Sequence, residues 1–248
     1  MALRRASLAG IRRPPDAAAG HIACQAHHPR PVRRRCGCGT EEIIVDQGQT
    51  IARLLLRAGS VLFRPAEPFT FASGVRSPIY CDNRLLIGEP EARRIIAGAF
   101  AEHVGAATVV AGTATAGIPW AAWVAAHTDL PMAYVRGGAK GHGRGRQIEG
   151  ADVAGRRVVL LEDTISSGES ALQAAAALRA AGADVTGCVA IFAWGWPATA
   201  AAFVAAATPL HTLTSLEDVL AAAQADGQLT AGDAALVARW SRDPQHWP

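Results

Sequence analysis

Residues 158–170 read VVLLEDTISSGES, and the fold is read outward from them. Val158–Leu161 are four apolar residues in a row, the pattern of a parallel strand buried on both faces. Two adjacent acids, Glu162 and Asp163, stand where that strand leaves the sheet. In open α/β sheets, ligands bind beyond the carboxyl ends of the strands. Thr164, Ser166, Ser167, Gly168 and Ser170 follow, small residues that open a helix. Backbone N–H groups and hydroxyls at a helix N-terminus cradle an anion, and the helix dipole favours negative charge there. Carboxylates suited to sugar hydroxyls, followed by an anion cradle, describe a site for a ribose phosphate.

The flanking sequence repeats the strand–helix alternation. Thr108–Ala111 reads as a buried strand entering a Gly-Thr-Ala-Thr-Ala-Gly loop, residues 112–117, with a helix from Pro119, where proline suits the first turn. Met132–Val135 and Val185–Trp194 are further strands, and an Ala-rich helix ending near Gly182 precedes the latter. Thr50–Ala58 places Ile51, Leu54, Leu55 and Ala58 on one helical face, and Glu91–Val104 is also amphipathic. Short helices near Leu216–Ala225 and Gly232–Arg242 complete the pattern. Strands alternating with helices predict a central, mostly parallel sheet covered on both faces.

Composition narrows the class. Half of the 248 residues are hydrophobic, 18% are charged, and the mean hydropathy is +0.15, values of a chain that can bury a full core. Residues 1–40 hold eight arginines against one acid, a net +7, so the remaining 208 residues carry −4 of the total +3. A basic tail on a mildly acidic body explains the pI of 8.8 without a nucleic-acid-binding domain. The tail, rich in Arg, Pro, His and Ala and lacking hydrophobic period, is expected to be disordered, with residues 41–248 forming the folded domain. Its scattered His and Cys lack zinc-finger spacing. The cysteines, odd in number and without a secretory signal, suit a reducing cytoplasmic setting. Two nearly uncharged stretches, 104–128 and 185–216, are broken by Pro and Gly and read as buried strands and Ala-rich helices rather than membrane spans. A chain beginning at Glu41 is expected to fold and to keep its kcat/KM, measured on both lengths side by side. Loss of solubility or of most of the activity would show that the tail is structural.

Two further segments carry chemistry. Residues 134–150, YVRGGAKGHGRGRQIEG, include a loop from Arg136 with six glycines and five groups that are or can be cationic. Such a loop can move, and Arg136, Lys140 and His142 can converge on an anion. Residues 69–84, FTFASGVRSPIYCDNR, are aromatic and turn-rich, unlike a plain helix or strand.

The 158–170 stretch resembles the phosphoribosyl pyrophosphate motif of the type I phosphoribosyltransferases: four hydrophobics, two acids and a small-residue phosphate loop. Ser167 stands where that family often has Thr, and Glu169 where it often has Gly, so Glu169 is expected to point away from the phosphate. Arg136 followed by Lys140-x-His142-Gly143 resembles the catalytic loop of orotate phosphoribosyltransferases. Gly137 takes the place of a second lysine found in some members. Residues 69–80 are similar to that family's Phe-Thr-x-x-Ser-Gly-x-x-Ser-Pro-x-Tyr signature, with Ala72 where some members have lysine. Residues 111–119 resemble its pyrophosphate loop, with Ala116 at another such position. The likeness runs from about Thr50 to Trp247.

This resemblance implies a type I phosphoribosyltransferase fold with a small hood over the active site, formed by about 41–85 and the C-terminal helices. It implies transfer of ribose 5-phosphate from phosphoribosyl pyrophosphate to orotate, in UMP synthesis. Lys140, His142 and Asp163 would be catalytic. Arg136, Lys140, His142 and the run Glu162, Asp163, Thr164, Ile165, Ser166, Ser167, Gly168, Glu169 and Ser170 would bind phosphoribosyl pyrophosphate. Ser166 and Tyr80 would touch orotate. Mg2+ would be held mostly by substrate and water, as that hard ion prefers, with no direct protein ligand. The expected assembly is a homodimer in which the 136–150 loop, its cations lacking a partner within their own subunit, serves the neighbouring site. No nucleic-acid or membrane partner is expected. Two competing readings are a phosphoribosyltransferase for another base, against which the 69–84 hood argues, and a nucleotide-sensing regulator, for which residues 1–40 supply no winged helix.

Overall fold

The computed structural model describes residues 46–71, 74–137, 147–244 and 247, all within the unit Val45–Pro248. Helix α1, Gln47–Arg57, starts at Asp46, whose side chain accepts from the Gly48 N–H, and buries Ile51, Leu54 and Leu55. Short strands follow. β1, Val61–Phe63, pairs antiparallel with β4, Ile79–Cys81, while β2, Phe69–Thr70, pairs with β3, Arg76–Ser77. The aromatic 69–84 segment is therefore two small ribbons and a 3-10 turn, Asn83–Gly88, held by Asp82 accepting from the Arg84 N–H. Helix α2, Pro90–Glu102, leads to the main sheet.

That sheet has six strands. In chain order they are β5 (Val109–Thr113), β6 (Met132–Val135), β7 (Ile148–Gly150), β8 (Arg157–Ile165), β9 (Asp184–Ala193) and β10 (Leu210–Ser215). The spatial order is β10-β9-β8-β5-β6-β7, parallel throughout except for the β6–β7 edge pair. Helices α3 (Gly117–Thr128), α4 (Glu169–Ala180), α5 (Pro197–Ala205), α6 (Leu216–Ala225) and α7 (Ala231–Arg242) complete the described elements. This is the expected central, mostly parallel sheet flanked by helices.

Period-two alternation divides the strands between two cores. Val110, Val159, Leu161, Val189 and Ile191 pack with residues of α1, α2, α3, α6 and α7. Val109, Ala111, Val158, Leu160 and Ala190 pack on the other face against α4 and Phe203 of α5. Burial on both faces is why these strands read as unbroken apolar runs. The uncharged 185–216 stretch resolves into β9, α5 and β10. Among the described residues, no helix is long and apolar enough to cross a membrane.

Candidate active site

The two neighbours of β8 end at different heights. Against β5 the pairing stops at Gly112–Leu161; against β9 it continues to Ile165–Ala193. Glu162 and Asp163 thus stay in strand conformation while one flank is open. The loop after β5 covers that flank closely. A Cβ on Gly117 would lie 2.5 Å from the Leu161 carbonyl oxygen, and one on Gly112 would lie 2.5 Å from that of Gly117. Glycine is required at both positions for α3 to start against β8. The resulting cleft, about 220 Å³, is lined by Ala114, Thr115, Ala116 and the run Glu162–Ala171.

The two acids perturb each other. Glu162 is only 7% exposed. Burial, and next the neighbouring Asp163 carboxylate, push its carboxyl up to about 8. Burial also raises Asp163. Glu162 Oε1 accepts from the Asp163 N–H at 3.1 Å, and Asp163 Oδ1 accepts from the Thr164 N–H at 2.7 Å. Hydroxyl donors or a cation arriving in the cleft would supply the missing compensation. None of the described side chains lining the cleft is cationic.

The 164–170 loop is braced from behind. Gly168 adopts φ 77°, and a Cβ there would meet the Phe203 ring at 2.5 Å. The Thr199 hydroxyl donates to the Ser166 carbonyl at 2.7 Å. Both braces come from α5, an element the sequence reading did not separate from its surroundings. Ser166, Ser167 and Ser170 are exposed at the mouth of the cleft, and α4 begins at Glu169. The Ile165 side chain is buried in the core, so only its backbone can face a ligand. Glu169 lines the cleft and also accepts from Gln173 Nε2 at 2.9 Å, one turn along α4.

A second cavity, about 510 Å³, adjoins the cleft. Tyr80 lines it, packed against Phe69 and Phe71 with ring centroids 5.6 and 6.3 Å away. Thr164 and Ser166 line both spaces. Trp194, Trp196 and Trp240 form much of the remaining wall, and the sequence reading missed all three. Trp194 and Trp196 had a signal: they follow the last residue of a strand, at the carboxyl edge where ligands bind. Trp240 had none, because it reaches the cavity from α7, packing edge-on to Trp194 at 5.3 Å and donating from Nε1 to the Arg76 carbonyl at 2.9 Å. Cys81 also lines the cavity; burial, then the Asp163 and Asp82 carboxylates, push its thiol up to about 12, which leaves it neutral.

Of the glycine-rich loop, Arg136 and Gly137 are described, whereas Lys140 and His142 lie outside the described residues. Arg136 does not fit the expectation of cations without a partner in their own subunit. Its guanidinium is 3.5 Å from Glu149, because β7 turns back antiparallel to β6 and sets the acid beside the loop's first residue.

A strand-end acid pair, a loop of N–H and hydroxyl groups at a helix start and an adjoining cavity lined by aromatic rings suit phosphoribosyl transfer to a planar base. Residues 85–198 match the phosphoribosyl transferase domain, and the class of protein is a type I phosphoribosyltransferase. The orotate phosphoribosyltransferase of Listeria monocytogenes serotype 4b (strain F2365) is 46% identical over 201 residues, covering 79% of this chain and 96% of that relative. The one from Bacillus subtilis (strain 168) is 47% identical over 201 residues, covering 79% and 93%. The crystal structure of orotate phosphoribosyltransferase from Aeropyrum pernix superposes with a TM-score of 0.61 at 28% identity, covering 73% of this chain and 99% of that one. The chain belongs to the orotate phosphoribosyltransferase family.

Proposed function

We propose that this chain transfers the 5-phosphoribosyl group of phosphoribosyl pyrophosphate to orotate, releasing pyrophosphate and forming orotidine 5′-phosphate for pyrimidine synthesis. The observation that carries this reading is the shared wall of Thr164 and Ser166 between the anion cradle and the aromatic cavity. A base in the cavity and a phosphoribosyl group in the cleft would meet there.

Displacement at the anomeric carbon develops positive charge on the sugar and negative charge on the leaving pyrophosphate. Glu162 and Asp163 accept from the ribose 2′- and 3′-hydroxyls, and their charge favours the cationic sugar. The 164–170 loop holds the 5′-phosphate through N–H groups and hydroxyls at the start of α4. The described cleft lining has no cation for the pyrophosphate, which supports Arg136, Lys140 and His142 in that role. Lys140 and His142 stabilise the leaving group as the loop closes and excludes water. Tyr80 and Ser166 contact orotate. In this reading the protein is a cytoplasmic homodimer whose loop serves the partner's site, and residues 1–40 are a tail outside the 41–248 domain.

Mg2+ fits the acidic cleft, whose hard carboxylate oxygens repel one another without a countercharge. Held mostly by substrate and water beside Glu162 and Asp163, it would supply positive charge to the leaving group.

With phosphoribosyl pyrophosphate and Mg2+ present, orotate is expected to be consumed as pyrophosphate appears. Adenine, hypoxanthine and xanthine should turn over at less than about a tenth of that rate, since a purine mismatches the polar contacts of a pyrimidine site. Purine turnover equal to orotate turnover would overturn the substrate assignment.

A further inference from the structure

The side chain of Asn83 is 1% exposed and uses both ends of its amide. Nδ2 donates to the Asp163 carbonyl at 3.1 Å and to Thr164 Oγ1 at 2.9 Å. Oδ1 accepts from Ser60 Oγ at 2.7 Å and from Cys81 Sγ at 3.5 Å. Ser60 lies in the turn between α1 and β1, and its hydroxyl is also within 3.0 Å of the Asp82 carbonyl. One buried amide therefore ties the first turn of the domain and the β4 end of the hood to the acidic end of β8.

The two residues it holds are those where the reaction has to occur. Thr164 lines both the anion cleft and the aromatic cavity, and Asp163 carries one of the paired carboxylates. Because Nδ2 donates to Thr164 Oγ1, one of that oxygen's two lone pairs is occupied, and its own hydrogen is directed elsewhere. Its neighbour Cys81, bonded to the same amide, lines the cavity as well. A fully paired buried amide fixes side-chain orientation, whereas a half-paired one costs stability.

We infer that Asn83 is a positioning residue for transfer: through Thr164 and the Asp163 backbone it sets the junction between the base cavity and the phosphoribosyl cleft, and it couples the hood to that junction. This rests on the reading that those two spaces hold orotate and phosphoribosyl pyrophosphate.

The test uses the full chain with orotate, phosphoribosyl pyrophosphate and Mg2+, and wild-type turnover checks the underlying reading independently. Asn83→Ala and Thr164→Val are each expected to lower kcat by roughly tenfold at a temperature where both are folded by circular dichroism, about the value of one lost hydrogen bond. The double variant should be no worse than the poorer single, since both changes break the same bond. Asn83→Asp keeps the shape but sets a third carboxylate beside Glu162 and Asp163. Because it also replaces the Nδ2 donor with an oxygen, it should not restore kcat, and its charge should move the acidic limb of the pH–rate profile upward. If Asn83→Ala does not fold, Ser60→Ala takes its place: it removes the Oδ1 anchor at a distance from both cavities and should lower kcat several-fold, again without adding to Thr164→Val. An active wild type with variants that lose only thermal stability, or with additive effects on kcat, would overturn the inference and leave the proposed function intact.

Discussion

Lys140→Ala and Asp163→Asn subunits, each nearly inactive alone, should regain roughly a quarter of wild-type activity when mixed and allowed to exchange. Each single change is expected to lower kcat by roughly 10²–10³, the usual cost of removing one preorganised charge at a developing ion. Asp163 stands at the end of β8 in its own subunit's cleft. In the proposed assembly Lys140 reaches into the partner's cleft. A mixed dimer then has one site with both defects and one with neither. Random exchange makes about half the dimers mixed, each with one intact site in two. Were the loop to serve its own subunit, every site would keep one defect and mixing would restore nothing. Native mass spectrometry shows whether exchange took place. Exchange without recovery would sink the shared site, and the Arg136–Glu149 contact within one subunit would then mark the loop's home.

The second large effect opposes function to stability. Glu162→Gln should lower kcat by roughly 10², through lost charge beside the sugar, yet raise the thermal stability of the ligand-free protein at alkaline pH. The folded protein raises the Glu162 carboxyl from its ordinary value near 4.5 to about 8, first by burial and then by the Asp163 charge. The unfolded chain therefore gives up this proton at a lower pH than the folded one. Stability from the protonated form is complete below about 4.5 and is lost as pH rises toward 8. Glutamine cannot ionise, and its Oε1 can still accept the Asp163 N–H. The gain from substitution should be near zero at pH 4, grow as the pH rises and level off above pH 8, at about 1.4 kcal/mol for each pH unit by which folding raises the carboxyl. Differential scanning calorimetry across that range measures it. A difference that does not change with pH would mean that Glu162 is already ionised in the folded protein.

The chemistry of the cleft was legible because it is local. Strand, acids, hydroxyls and helix start fall within thirteen consecutive residues, 158–170, and backbone geometry alone turns that order into a carboxylate pair beside an anion cradle. Family likeness extended the reading to Tyr80 and the loop lysine and histidine. The braces were not legible. Thr199 and Phe203 support the 164–170 loop from over thirty residues downstream, and their Ala-rich surroundings carry no polar–apolar period to mark a helix.

By itself the sequence determined a mostly parallel sheet, four of its six strands, and which residues carry charge and hydroxyls at the strand end. These follow from hydrophobic period and from chemistry repeated over a few residues. Only the tertiary structure decided that β8 runs four residues further along β9 than along β5, which opens one flank of the acids. It alone brought Trp240 from the last helix beside Trp194, and Asn83 beneath Thr164, because contacts between distant segments depend on how helices and sheet pack together. The same packing gave Arg136 its partner Glu149: an antiparallel edge strand returns the chain beside the residue it had left thirteen positions earlier.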